Sequence, residues 1–206
     1  MIDNNSKGND SDERFLSEEQ TAHLKEKILA RSSLFEGHYL KGERLDVRLP
    51  DGGESSRDVI RHPGAVAILA VNEAGQILME YQYRTAVDAV ILEIPAGKVD
   101  PQEDRLEAAK RELEEETGWR AKSWLHLGEL MLAPGYCDEC ISLFRATQLY
   151  PGEVHRDEDE EMIPLFFDRS DLLKAVKEQK ITDSKTLCAL FYGELLQEGA
   201  IGSQTL

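Results

Sequence analysis

Apolar positions recur along this chain with two distinct periods. From Arg44 to Leu49 they alternate with polar ones, the two-residue repeat of a half-buried strand, and Pro50-Asp51-Gly52-Gly53 ends that run as a turn. Strand signals continue over Arg57–His62 and Ala65–Val71. After the turn at Asn72–Gly75 they resume over Gln76–Arg84 and Val90–Ile94. Ser123–Leu132, Ile141–Leu149 and Ile163–Phe167 read as later strands. Helical character is clearest over Asp104–Thr117, which has strong helix formers, no internal Gly or Pro, and Gly118 as a stop. Asp171–Gln179 and Ser184–Gln197 read as two more helices. Ser17, followed by Glu18, Glu19 and Gln20, is a plausible N-cap and predicts a helix to about Arg31, in an N-terminal unit spanning 17–34. Strands outnumber helices and the two are interspersed, which predicts an α+β fold with a mixed sheet in one domain over 35–198. Residues 1–16 read as a disordered tail and 199–206 as a second tail.

Composition narrows the function classes. The 206-residue chain carries 40 Asp and Glu against 24 Lys and Arg, a net charge of −16. Such a surface repels nucleic-acid backbones, so no nucleic-acid partner is expected. No apolar run approaches the roughly 18–20 residues of a membrane span, and the polar start has no secretory signal; the expected location is the cytoplasm. Three cysteines make no disulfide framework, and the single C-x-x-C of Cys137 and Cys140 is weak evidence for zinc or redox chemistry.

The chemistry gathers at Gly97–Trp119. On a helix, Leu106, Ala109 and Leu113 fall on one stripe, the natural core face. Glu112, Glu115 and Glu116 stand at i, i+3 and i+4 on another face, where like charges destabilise the helix by a few tenths of a kcal/mol per pair, roughly. A hard divalent cation would offset that repulsion. Helix geometry alone favours a solvated acidic face beside Lys110 and Arg111. The full spacing decides otherwise: Gly97, five residues, Glu103, seven residues, then Arg111-Glu112-Leu113-x-Glu115-Glu116-x-Gly118-Trp119.

This pattern resembles the Nudix box and matches its fixed positions, with Trp119 where the family usually has an aliphatic residue. The resemblance implies an α/β/α sandwich with an N-terminal strand extension, 35–62, in dimer contact. It implies metal ligation by Glu112, Glu115 and Glu116, with the main-chain carbonyl of Ala96 as a further ligand. It gives Glu103 and Arg111 an orienting salt bridge, and Gly97 and Gly118 backbone roles. Magnesium is the expected ion and manganese its substitute.

Further segments resemble the ADP-ribose pyrophosphatase branch: Glu93–Gly97, Gln82-Tyr83-Arg84, Ala133–Glu139 with Pro134, and Ile181–Thr186. That likeness implies substrate contacts from Arg57, Arg84, Pro134 and Glu139; Phe35 and Tyr39 in the N-terminal strands are the candidates for stacking on the adenine. The acidic run Asp157–Glu161 matches a loop that supplies the catalytic base in relatives. Glu158 is the expected base, Glu160 a metal or helper carboxylate, and Glu115 a ligand with a catalytic part. The implied reaction is magnesium-dependent hydrolysis of ADP-ribose to AMP and ribose 5-phosphate by a cytoplasmic homodimer. The alternatives are a pyrophosphatase for GDP-mannose or UDP-/ADP-sugars and a non-catalytic ADP-ribose sensor. The sensor is disfavoured because every box glutamate is present.

Overall fold

A computed structural model describes residues 15–155 and 161–197. The expected tails, apart from Phe15 and Leu16, and the acidic positions Glu158 and Glu160 lie outside the described residues. Ser17 caps a single helical turn, α1 (Glu18–Thr21), in a full capping box with Gln20. The helix expected to about Arg31 does not form. After a short 3-10 turn at Ala22–Leu24 the chain becomes β1 (Lys27–Glu36). It pairs antiparallel with β2 (Lys41–Arg48), which pairs with β3 (Glu54–Arg61). The local helix signal loses to a ladder along ten residues, and a helix of so few residues is marginal without tertiary packing.

The remaining strands are β4 (Ala65–Ala70), β5 (Ile77–Arg84), β6 (Ala89–Glu93), β7 (Ala96–Lys98), β8 (Trp119–Met131), β9 (Cys140–Pro151) and β10 (Met162–Phe167). The helices are α2 (Arg105–Thr117), α3 (Arg169–Lys177) and α4 (Ser184–Gln197). One sheet runs β7-β4-β9-β8 and another β10-β5-β6. The pairing of β4 with β9 is parallel and the others antiparallel, so the sheet is mixed as expected. Strand β7, only three residues inside the glycine lead-in, gives too short an apolar pattern to read from sequence.

Strand β4 organises the core because it is buried on both faces. Its odd positions Ala65, Ala67 and Leu69 join Met79, Ile94, Leu143, Leu172 and Leu190 in one cluster. Its even positions Val66, Ile68 and Ala70 join Leu78, Ala108, Ala109, Leu113 and Phe144 in the other. Helix α2 therefore covers one face while α3 and α4 cover the other, an α/β/α arrangement. The predicted stripe on α2 holds: Ala109 and Leu113 are fully buried and Leu106 is partly so.

Truncating Leu113 tests how firmly this face holds α2. Leu113→Ala should lower the unfolding free energy by about 2–5 kcal/mol, against a smaller loss for Leu106→Ala. Urea denaturation of the two variants measures the difference.

Candidate active site

Helix α2 starts where the Asp104 carboxylate accepts hydrogen bonds from the Leu106 and Glu107 N–H groups, and it stops at Gly118, whose φ is +72°. Its acidic face turns toward β7, and between them opens a polar cleft of about 280 Å³. Gln82, Arg84, Ala96, Gly97, Lys98, Asp100, Arg111, Glu112, Glu115, Glu116 and His155 line it. The three ligand candidates on α2, the main chain at Ala96 and the guanidinium of Arg84 thus share one space.

Arg111 holds the carboxylates in place. Its guanidinium donates to both oxygens of Glu103 at 2.9 Å, to Glu112 at 2.8 Å and Glu115 at 3.0 Å, and to the Lys98 carbonyl at 3.1 Å. The Glu103–Arg111 pair was the orienting salt bridge that the box implied. Its hydrogen bonds to Glu103, then the charge of Glu112 and the bonds to Glu115 and Glu112, raise the Arg111 pKa well above the ordinary guanidinium range. The same hydrogen bonds hold the Glu103 carboxyl below its usual range. Glu116 is buried, and its Oε2 accepts the Ala96 N–H at 3.1 Å.

Gly97 has a steric reason to lack a side chain. A Cβ there would stand 2.0 Å from the Glu112 carboxyl carbon and 2.2 Å from each of its oxygens. The carboxylate fills the place that any other residue would claim. A Cβ on Gly118 would meet Val154 at 2.8 Å, because the chain after β9 folds back over the end of α2. Gly152 N–H donates to Gly118 O at 2.8 Å and His155 N–H to Glu115 O at 3.2 Å. The Glu153 N–H reaches the Glu114 side chain at 3.2 Å. Glu114, a variable position of the box, also pairs with Arg120 at 2.6 Å.

As the side chains lie, no three Asp, Glu, His or Cys groups among the described residues converge on one ion position. The box carboxylates are instead engaged by Arg111 and the Ala96 N–H. The donor set nevertheless fits a hard cation, since three carboxylates line one polar cleft beside exposed main chain.

The other substrate candidates separate. Arg84 Nε donates to the buried Glu93 at 2.7 Å, and burial of the guanidinium is outweighed by that bond and by the charges of Glu93, Glu80 and Glu116, which raise its pKa. Pro134 and Glu139 line a second, more apolar cavity of about 350 Å³ with Arg61, Met131 and Tyr136, and share no lining residue with the cleft. A chain of contacts joins the two spaces: Glu139 to His62 at 3.6 Å, His62 edge-on to Tyr39 at 5.8 Å, and Tyr39 under the Lys98 ammonium at 4.5 Å. Tyr39 therefore borders the cleft through Lys98. Phe35 lies over Gly42 within the β1–β3 sheet, and Arg57 pairs with Glu26 at 2.5 Å; neither lines the cleft of its own chain. Cys140 donates to Glu129 at 3.0 Å, which pushes its thiol pKa up.

Gln82, Lys98, Asp100 and His155 are cleft residues to which sequence reasoning gave no role, Gln82 entering it only within the Gln82-Tyr83-Arg84 segment. Gln82 had a readable signal, two positions before Arg84 on the same strand and so on the same face. His155 had none beyond its place ahead of the acidic run.

Gly97→Ala should leave the fold within about 1 kcal/mol of wild type, because a flexible carboxylate can give way. It should move Glu112 and raise the divalent-ion concentration needed for half-maximal activity. Thermal unfolding and an ion titration of turnover measure the two effects.

A NUDIX domain model matches residues 61–190. The chain is 40% identical over 174 residues to a protein of Bacillus subtilis (strain 168) named ADP-ribose pyrophosphatase, covering 84% of this chain and 94% of that one. It is 41% identical over 176 residues to a Bacillus methanolicus protein named methanol dehydrogenase activator, with 84% and 94% covered. A crystal structure of an ADP compounds hydrolase superposes with a TM-score of 0.76 at 23% identity, covering 85% of this chain and 96% of the other, a likeness of fold. The matched span runs from the last residue of β3 into α4 and contains the whole acidic helix with its glycine lead-in, and the chain belongs to the NUDIX domain family.

Proposed function

We propose that this chain hydrolyses the diphosphate bond of ADP-ribose, giving AMP and ribose 5-phosphate, with magnesium as its ion. The observation that carries the reading is the pairing of an acidic helix face with a guanidinium in one cleft. Carboxylates alone would repel a diphosphate; Glu112, Glu115 and Glu116, with the Ala96 carbonyl beside them, would hold a cation whose charge reverses that local field. When bound, such an ion neutralises the diphosphate and acidifies water. Arg84 holds a phosphate through donors that its Nε bond to Glu93 leaves over. Arg111 keeps Glu112 and Glu115 in place. Glu158 accepts the proton of the attacking water and Glu160 assists; His155, three residues before Glu158 in sequence, lines the cleft with its N–H bonded to Glu115 O. The names of relatives such as the Bacillus subtilis protein support ADP-ribose as substrate.

The working unit in this reading is a cytoplasmic homodimer. All ten residues of β1 are exposed, yet Ile28, Leu29, Leu34 and Phe35 are among them, each at least 40% exposed. A strand that apolar calls for cover. A second copy supplies it and brings Phe35 and Arg57 toward the partner's cleft.

In a substrate panel with magnesium, ADP-ribose should give the highest kcat/KM; a higher value for GDP-mannose would overturn the substrate assignment. Glu116→Gln should lower kcat by about 100-fold or more while the chain stays folded. Glu158→Gln should shift the loss to kcat with KM little changed, as removal of a proton acceptor does. Sedimentation equilibrium should give a mass near twice 23.2 kDa.

A further inference from the structure

Three separate stretches of the sequence meet at one buried carboxylate. Glu93, at the end of β6, has no solvent exposure, and its two oxygens face two different cations. Oε1 accepts from Arg84 Nε at 2.7 Å, and Oε2 pairs with the buried ammonium of Lys185 in the first turn of α4. Lys185 is itself fixed by Asp183 at 3.2 Å. The other Asp183 oxygen accepts the Thr186 N–H at 2.9 Å and its hydroxyl at 2.6 Å, while Thr186 Oγ1 accepts the Ile94 N–H at 3.0 Å. The start of α4 is thereby locked to the residue that follows Glu93.

Charge explains why a second cation is needed. Glu93 stands directly across the ladder from Glu80, which is also fully buried, and like charges in that relation destabilise a sheet. With Arg84 as sole partner, the buried Glu93 would draw on all of its charge. A buried carboxylate takes most of the charge of any single cation beside it, because the interior screens little. Lys185 shares that demand from the side away from the cleft. Only Nε of Arg84 is hydrogen-bonded among the described residues, and its remaining N–H groups are left for the space it lines.

We propose that Lys185 is a positioning residue for substrate binding: through the shared Glu93 carboxylate it keeps Arg84 at the cleft wall with its positive charge available to a diphosphate. The inference rests on Arg84 being a diphosphate contact.

The test uses the full chain with ADP-ribose at saturating magnesium. Lys185→Met should raise KM about tenfold with kcat changed less than about threefold, the pattern of lost substrate binding. The magnesium concentration for half-maximal activity should not move. In the double variant Glu93→Gln with Lys185→Met, the amide oxygen still accepts from Arg84 Nε and position 93 carries no negative charge, so KM should return to within about threefold of wild type. A purely structural Lys185 predicts instead that KM is unmoved in the single variant, or raised equally in both; either outcome overturns the proposal. Should Lys185→Met fail to fold, Lys185→Gln keeps a neutral donor to Glu93, and the same rise in KM is expected. Arg84→Met separates the two readings: an unchanged KM there removes the diphosphate role of Arg84, whereas a raised KM there with no change in the Lys185 variants removes the relay alone.

Discussion

Mutual repulsion among carboxylates on one helical turn is the constraint that shapes this molecule. Glu112, Glu115 and Glu116 share a face of α2, and each like-charged pair at that spacing costs a few tenths of a kcal/mol, roughly. Arg111 lies among them and reaches Glu103 in the preceding loop as well. Beside this face, Leu113 and the alanines at 108 and 109 seat the helix against β4. An acidic face that would unwind a free peptide is tolerable because a guanidinium and an apolar stripe work on the same thirteen residues.

The two sides of the sandwich contribute different charges to the cleft. The acidic helix packs on one face of the β4 layer, and α4, carrying Lys185, packs on the other. Arg84 on β5 and Glu93 on β6 stand between them, and both helices also pack on β4. The acidic side chains of α2 and the basic side chains around Glu93 therefore come from separate layers and meet at a strand end.

Much of this was legible in the sequence. The α2 stripe and its acidic face follow from a 3.6-residue repeat, and the box spacing located Gly97, Glu103 and Arg111 before any contact was visible. The reason for Gly97 was not legible, because it lies in the position of the Glu112 carboxylate fifteen residues away. The N-terminal helix stops after one turn because a capping box specifies how a helix begins and carries nothing about a competing strand partner at Lys41–Arg48. Likewise Pro134 and Glu139 sit together as their loop implied, yet around a cavity apart from the cleft, a separation set by how that loop docks on β3.

That docking has a consequence for how such a protein can diversify. Among the described residues the β1–β2–β3 sheet forms no ladder with the other two sheets. Its end is stitched to the Pro134 loop instead, through Ile60 with Tyr136 and Asp138, and Arg61 with Asp138. Val59 and Arg61 of β3 line the apolar cavity itself, while no residue of that sheet lines the cleft beside α2. Drift along β1, β2 and β3 therefore bears on the walls of that cavity while the seat of α2 on β4 is left as it is.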